Sequence, residues 1–512
     1  MLEKGLGLTG DQNFPDLPTV QAAIQDVAIS LNLSEWVLDG VHVWPVARSV
    51  VYGVLSQKLA FRYGQVGVAG RVKSSKPREN AVVEKLPSLL RLPNAVLFGE
   101  VDQSKFPKIL FHQLPQDYEG GTLDRLADPL LDFFSGKIGI AKLCRFHPTV
   151  SSGKTRLAPL QYRFTGAGAA SRIPPEEIQG FLKTAHRLIA WLKEHWFDPG
   201  ETPIDLLRRM TTILDRVHGA EDILRRLNPE VLLVHRYHDQ YQIPFVIAAR
   251  RLGIVSVDIQ HGYADSCTPS NDFLEAPLAG YVGVPDVFWV WNEGTARRVE
   301  SGFPHDRQRP KVLVGGAPWT IRDDATLESK RPKPKPTRQT VLIAHQPDMI
   351  FSAEEGEFLA PSLLDAIQNS PKQLHWLIRL HPTARHLIAA MNESLKNHKL
   401  GDKVEITNAS TISWSELAQQ VDVVVTGYSA LALEARALGI PVILHGPVGA
   451  KVFAPILEEA KFFISESSEE LLLAINETTS QSHTIWNFSD IDSAKRANDV
   501  FEALQDLTAK EE

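Results

Sequence analysis

Short apolar runs without polar alternation recur through the second half of the chain: Thr340 to Ala344, Leu374 to Leu380, Lys403 to Ile406, Val421 to Val425 and Pro441 to Leu444. Runs of this kind mark strands covered on both faces, and hence a parallel sheet. The clearest unit is Val421 to Leu444, where V-D-V-V-V predicts a strand and T-G-Y-S a turn. An Ala/Leu-rich helix is expected next from Ala430 to Leu438, with Gly439 as its stop before a second strand. The first half repeats this grammar. Val231 to Val234 predicts a strand, Pro244 opens a helix to Leu252, and Ile254 to Ile259 predicts the next strand. Further strands are expected at Asp286 to Trp291, Lys311 to Val314, Ala95 to Phe98 and Lys108 to Phe111, and helices at Ile178 to His195 and Pro203 to Leu227. The pattern predicts an α/β chain with two winding domains, and a ligand in a cleft between the carboxyl edges of their sheets.

Between the two halves, Arg322 to Thr340 interleaves Lys330, Lys333 and Lys335 with Pro332, Pro334 and Pro336. That composition favours an extended, solvated tether. The expected domains are 1–325, a linker at 326–339, a nucleotide-binding domain at 340–485 and a terminal helix within 486–512.

A chain of 512 residues is long enough for two or three domains. Its 54 basic and 61 acidic residues give a net charge of −7, which lacks the basic footprint of a nucleic-acid binder. Cys144 and Cys267 are the two cysteines, too few and too isolated for a disulfide framework or zinc site, so a reducing cytoplasm is expected. The stretch from Trp36 to Phe61 is interrupted by Asp39, His42, Arg48 and Lys58 before it could span a bilayer, and reads as buried core. Peripheral attachment at an inner membrane needs no such span and stays compatible with this chain.

Two turns of the second half carry candidate chemistry. Arg379-Leu380-His381-Pro382 closes an apolar strand, where a buried cation calls for an anionic partner: a ligand phosphate, or an acid such as Asp422. Thr426-Gly427-Tyr428-Ser429 joins strand to helix and offers backbone N–H groups and hydroxyls. Glu434, in the helix beyond, either takes ribose hydroxyls or faces solvent. In the first half, His235-Arg236-Tyr237-His238-Asp239 follows one strand and Gln260-His261-Gly262-Tyr263-Ala264-Asp265 the next, a density of polar groups suited to sugar hydroxyls and a general base. His235, His238 and Asp239 match no metal-ligand spacing, so no metal is expected. Thr165-Gly-Ala-Gly-Ala-Ala lacks the context of a dinucleotide loop, and Gly315-Gly316 reads as a tight structural turn.

Several of these stretches together resemble the GT-B-type bacterial glycosyltransferases of capsule and lipopolysaccharide assembly. They are Ala248 to Gly262 (A-A-R-R-L-G-I-V-S-V-D-I-Q-H-G), Asp286 to Arg298 leading to Lys311 to Pro318, R-L-H-P, and T-G-Y-S-A-L-A-L-E-A-R-A-L-G-I-P-V. The resemblance covers about 230 to 465 well and the first 90 residues only loosely, through Val41 to Arg48. It implies a GT-B fold, two Rossmann-like domains facing across a central cleft. Kdo transferases, sialyltransferases and teichoic-acid polymerases of this type hold the donor phosphate with a His-Pro motif and a Ser/Thr-bearing turn. On that likeness His381, Tyr428 and Ser429 would hold the phosphate and Glu434 the ribose, with Arg379, His345, Thr426 and Gly427 completing the donor set.

The implied activity is metal-independent transfer from a nucleotide sugar, a CMP-sugar favoured, to a glycan or glycolipid, with no cofactor. Asp239, His261 and Asp265 are the expected base or nucleophile, and His235, Tyr237, His238 and Gln260 the acceptor side. A nucleotide-sugar epimerase of the same fold and a non-catalytic glycan-binding protein are the rival readings.

Overall fold

The computed structural model describes residues 17–48, 51, 95–98, 108–114, 118–119, 123–124, 126–134, 138–145, 160–165, 173–195, 200–262, 273–304, 309–321, 339–346, 358–458, 460–480 and 493–509. The chain divides into two compact units, one of 1–56, 76–321 and 491–512, the other of 57–75 and 322–490. The expected tether, apart from Gln339 and Thr340 at its end, lies outside the described residues, as do Asp265 and the Gly-Ala stretch after Thr165.

The first unit is built on eight strands: β1 (Ala95–Phe98), β2 (Ile109–Gln113), β3 (Ile140–Arg145), β4 (Leu160–Phe164), β5 (Val231–Val234), β6 (Val255–Ile259), β7 (Val287–Val290) and β8 (Lys311–Val314). They are ordered β8-β7-β6-β5-β2-β3-β4-β1 and all neighbours are parallel except β1 with β4. The chain therefore winds outward from β2 through β3 and β4, then returns to β2's other side and winds away through β5 to β8. Strands V-L-L-V, V-S-V-D-I and V-F-W-V are buried at every position, which accounts for their largely apolar character and puts Ser256 and Asp258 inside the sheet.

The long helix α1 (Pro203–Leu227) begins with a reciprocal cap in which Asp205 N donates to Thr202 Oγ1 at 3.2 Å and Thr202 N donates to the Asp205 carboxylate at 3.1 Å. It stops at Asn228, whose φ of 43° turns the chain out of the helix. The helix expected from Pro244 runs as α2 (Ile243–Arg251). Helix α3 (Ser493–Ala509), the terminal helix expected from the sequence, packs Ala497, Val500 and Leu504 into the first unit's core beside Val257 and Val287.

Three strands escape the sequence pattern: β3, β4 and Phe463–Ser465. In β3 the apolar rhythm is broken by Lys142, which is fully buried and ion-paired to Asp128. Gly315 has a physical reason as well. A β-carbon there would lie 2.2 Å from the Trp289 indole, whose Nε1 donates to Gly316 O at 2.9 Å.

The segment before β1 is tied down by one carboxylate. Glu275 accepts hydrogen bonds from Gln25 Nε2 at 2.6 Å, Trp44 Nε1 at 2.9 Å, Tyr281 Oη at 3.3 Å and Arg48 Nη1 at 3.4 Å. The Arg48 and Glu275 side chains are 1% and 3% exposed, so the stretch expected to be core rather than membrane is core as far as it is described. No described helix is long and apolar enough to cross a membrane.

The second unit has six strands: β9 (Gln339–His345), β10 (Leu374–Leu380), β11 (Val404–Glu405), β12 (Val423–Thr426), β13 (Val442–His445) and β14 (Phe463–Ser465). All are parallel, in the order β11-β10-β9-β12-β13-β14. By chain sequence that order is third, second, first, fourth, fifth, sixth, the strand order of the Rossmann fold. Val341, Ile343, Trp376, Ile378, Val425, Leu471 and Ile475 belong to one core, the last two from helix α4 (Ser468–Ser480). The fold class expected from the sequence, α/β with two Rossmann-like domains, is what the two sheets show.

Removing the four-way acceptor tests the N-terminal anchorage. Glu275→Ala leaves the Arg48 guanidinium buried without its counter-charge, and should lower unfolding free energy by about 3–5 kcal/mol in urea titrations. Glu275→Gln, which keeps an acceptor oxygen, should lose less.

Candidate functional site

In a sheet of this order the chain leaves β9 toward one side and returns to start β12 on the other. The connections after the two strands therefore run apart, and a crevice opens at their carboxyl ends. Five of the expected donor residues meet there. His345 ends β9, Thr426 ends β12, and Gly427, Tyr428 and Ser429 form the turn into α5 (Leu431–Ala437).

Hydrogen bonds pin this turn to β9. Thr426 is fully buried, and its Oγ1 donates to Ala344 O at 3.1 Å while accepting from Ser429 N at 3.3 Å. Tyr428 N donates to the side-chain Oε1 of Gln346 at 3.0 Å, and Ser429 Oγ accepts from Leu431 N at 3.3 Å. The carboxamide of Gln346, a residue without a motif around it, thus takes the N–H of Tyr428. Below the turn, a β-carbon on Gly449 would lie 2.1 Å from Gly427 O, so glycine lets the helix α6 (Pro447–Val452) pack directly on the turn's backbone.

His345 is 2% exposed, and its Nε2 bonds Phe358 O at 3.0 Å. Burial brings its pKa down to about 4, opposed by that hydrogen bond, so the ring is neutral near pH 7. His381 is exposed at the carboxyl end of β10, and its backbone N donates to His345 O at 3.1 Å, which places the His-Pro turn against the end of β9. Arg379 is half-buried one residue inside β10. Its Nη1 donates to Ala409 O at 2.9 Å and Ile412 O at 2.8 Å, a helix-end brace that answers the question of its partner. Asp422, the acid considered for it, accepts from Thr340 N at 2.7 Å. Glu434 is 4% exposed in α5, so the solvent-facing alternative does not hold.

Sequence reasoning missed His445. Ending β13 beside the turn, its ring lies 2.8 Å from Ser362 Oγ and 2.9 Å from Ser465 Oγ, and burial brings its pKa to about 4.

The first unit has its own reversal, between β2 and β5. His235 follows β5 at 1% exposure, with its N donating to Gln242 Oε1 at 2.9 Å, and its ring lies 6.3 Å from that of His261. Tyr237 is buried, and its N donates to Asp258 Oδ1 at 3.0 Å; burial pushes its hydroxyl well above the ordinary value, so it stays protonated. His238 is brought down to about 4 by burial and then by Arg236, and its Nδ1 has no hydrogen-bond partner among the described residues.

Asp239 shapes the turn. Its Oδ1 accepts from Tyr241 N at 2.8 Å and its carbonyl from Gln242 N and Ile243 N, both at 2.9 Å. Gln260 braces β6 to β7, with Trp291 N donating to its Oε1 and Trp291 Nε1 to its carbonyl, both at 2.8 Å.

Asp258 is the acid that sequence reasoning passed over. It lies inside V-S-V-D-I at 8% exposure, where burial lifts its pKa to about 7 against the backbone donor of Tyr237 and the charges of His235 and Arg236. A carboxyl poised near neutrality below a polar loop has the proton affinity a general base needs. Nearby, Tyr241 is sandwiched between guanidiniums, with Arg145 4.2 Å and Arg216 4.3 Å from its ring centre.

No protein-family model and no curated protein sequence matches the chain. Similar solved structures include the S. aureus MnaA–UDP co-structure, at 12% identity and TM-score 0.47, covering 78% of this chain and 97% of that one. The UDP-GlcNAc 2-epimerase from Neisseria meningitidis bound to UDP-GlcNAc aligns at 12% identity and TM-score 0.43, over 78% and 99%. Spinosyn rhamnosyltransferase SpnG complexed with spinosyn aglycone aligns at 16% identity and TM-score 0.40, over 78% and 96%. At such identities and scores the likeness adds nothing to what the strand orders establish by themselves.

Two substitutions probe these edges. Gly449→Ala forces α6 away from the Gly427 carbonyl, and should cost about 1–3 kcal/mol of stability in denaturant titrations. Asp258 binds its proton more tightly folded, at about 7, than at the unfolded 3.8. Its ionisation therefore erodes stability as pH rises through that window, by on the order of 1.4 kcal/mol per pH unit. Asp258→Asn removes that term, so its stability advantage over the native protein should widen from pH 4 to pH 7; a pH-independent difference would contradict the assignment.

Proposed function

We propose that this chain is a glycosyltransferase that binds a nucleotide-activated sugar at the β9/β12 edge of the second unit and passes the sugar to a glycan or glycolipid. The observation that carries the reading is the strand order. It brings His381, from one stretch, and Thr426-Gly427-Tyr428-Ser429 with the buried Glu434 just beyond, from another, to the carboxyl side of one Rossmann sheet. The motif resemblance favours a CMP-sugar, and a peripheral place at an inner membrane suits a glycolipid acceptor.

On this reading the turn's backbone N–H groups and the exposed His381 meet the donor phosphate, and Glu434 the ribose side. The bond between the anomeric carbon and the phosphate oxygen breaks, its electron pair leaving with the nucleotide. The acceptor oxygen forms the new bond, and its proton passes to a general base, a role for which the chemistry of Asp258 and His261 is suited. Donors aimed at the departing phosphate stabilise charge as it develops. Arg379, with Nη1 on two carbonyls, is cast as support for the His-Pro turn, and Asp239 and Gln260 as supports of the acceptor-side loops.

The test is release of free nucleotide from CMP-, CDP-, UDP- and GDP-linked sugars, with and without glycan acceptor. Acceptor-dependent release supports transfer; conversion of the sugar without an acceptor would instead identify an epimerase, and binding without turnover a glycan-binding role. His381→Ala should lower release by about 10²- to 10³-fold with an unchanged unfolding midpoint, and full activity in that variant would remove the phosphate assignment.

A further inference from the structure

Ser362, His445 and Ser465 form a hydrogen-bonded chain at the carboxyl edge of the second sheet. Ser362 is half-buried at the start of the helix Pro361–Asn369, in the connection that leaves β9, and its Oγ lies 2.8 Å from His445 Nε2. Ser465 Oγ, in the edge strand β14, lies 2.9 Å from His445 Nδ1. Burial, opposed by the charge of Glu470, brings the His445 pKa to about 4, so the ring is neutral near pH 7 and carries a single N–H.

Which nitrogen carries that hydrogen follows from Ser465. The residue is 1% exposed, and among the described residues its hydroxyl has no partner but Nδ1. A buried O–H left without an acceptor is costly, so Ser465 donates to Nδ1. The ring hydrogen is then on Nε2, which donates to Ser362 Oγ. Ser362 is the acceptor in that bond, and its own hydroxyl hydrogen has no acceptor among the described residues. Each link polarises the next, which makes this half-buried hydroxyl a stronger donor than a serine standing alone.

The chain also has a definite place. Strand β12 lies between β9 and β13, yet Ser362 belongs to the connection after β9 while His445 ends β13. Their bond therefore passes over the carboxyl end of β12, where Thr426, paired with Leu444, leads into the T-G-Y-S turn. Phe358 O, bonded by the His345 ring at 3.0 Å, holds the same connection against the end of β9. The helices that follow β9 and β12 leave on opposite faces of the sheet, so Ser362 and α5, which carries Glu434, flank the turn from opposite sides.

We infer that Ser362 is a specificity-determining residue of the β9/β12 edge, donating a hydrogen bond to an oxygen of the donor's sugar portion, with His445 and Ser465 as positioning residues that fix the direction of that bond. For its ligand the inference rests on the glycosyltransferase reading. With the phosphate at the turn and the ribose at Glu434, the side that Ser362 occupies is left to the sugar.

Histidine-selective 15N NMR on the intact chain reads the direction of the chain without any ligand. The His445 ring should show the Nε2–H tautomer, and should lose that bias in Ser465→Ala; an Nδ1–H tautomer would overturn Ser362 as the donor. Among the CMP-, CDP-, UDP- and GDP-linked sugars, Ser362→Ala should raise the KM of the one turned over by roughly three- to tenfold, the loss of one hydrogen bond, with kcat little changed. Affinity for the corresponding free nucleotide should stay as it was. Ser465→Ala should raise the same KM, but add nothing in the Ser362→Ala background, because the two act through one bond. Equal weakening of sugar nucleotide and free nucleotide, or no weakening of either, would remove the sugar contact and leave the glycosyltransferase reading standing. Failure of the unsubstituted chain to bind any of these sugar nucleotides would remove that reading and the sugar contact together, whichever tautomer the ring shows.

Discussion

Everything that positions chemistry here depends on one constraint, the reversal of strand order inside a fully parallel sheet. A parallel strand can be followed only by a crossover, and crossovers of one hand place their helices on opposite faces when the chain winds first one way and then the other. At the reversal the two connections part, and the ends of β9 and β12 keep polar groups that no third strand covers. There Thr426 bonds Ala344 O and Ser429 N, Gln346 takes the N–H of Tyr428, and the His345 ring reaches Phe358 O. The first sheet repeats the arrangement between β2 and β5, where His235, Tyr237 and Asp258 gather.

The same topology explains the buried ionisable groups. A side chain at the last position of a central strand is walled by neighbours yet lies one residue from the crevice. His345 and His445 are both so placed, and burial holds both neutral with pKa values near 4. Their folded values lie below the free 6.5, so whatever they contribute is complete above pH 6.5 and is lost as pH falls toward 4. Asp258 runs the other way, since burial makes a carboxyl keep its proton. The two rings of the second sheet are thus neutral near pH 7, and the acid of the first sheet is held near its midpoint there.

Strands were legible wherever burial on both faces had removed polar residues: Val231–Val234 and Leu374–Leu380 appear in the structure at the boundaries their apolar runs predict. Strand β3 was not, because Lys142 interrupts I-A-K-L-C-R and its justification, Asp128, lies elsewhere in the chain. For the site, the turns were legible but the pairings were not. Nothing local marks Arg379 as the brace of carbonyls some thirty residues away, or Asp239 as a turn-former in place of a base. Asp258 was hidden by its setting, since an acid inside an apolar strand advertises burial without saying how near an edge it lies. Gln346 and His445 carry no motif; only the register of β9 and β13 with β12 gives them meaning.

The bond between Tyr428 N and Gln346 Oε1 bears on how such an edge can bind an anion at all. An N–H that is partly withdrawn from water is costly to leave unpaired, by up to about 1–3 kcal/mol where desolvation is complete. The carboxamide satisfies it with a neutral hydrogen bond worth about 0.5–1.5 kcal/mol net, whereas a phosphate oxygen forms a charge-assisted one worth about 1.5–3. Exchange of one acceptor for the other is therefore favourable but modest, and the displaced glutamine can turn to solvent or to the ligand. A turn satisfied by its own neighbour stays folded when empty and yields to a charged oxygen but not to water, which offers no more than Gln346 already does. On the proposed reading, selectivity for an anion would follow from hydrogen-bond strength without a buried cation at the turn, while Nη1 of Arg379 rests on two carbonyls.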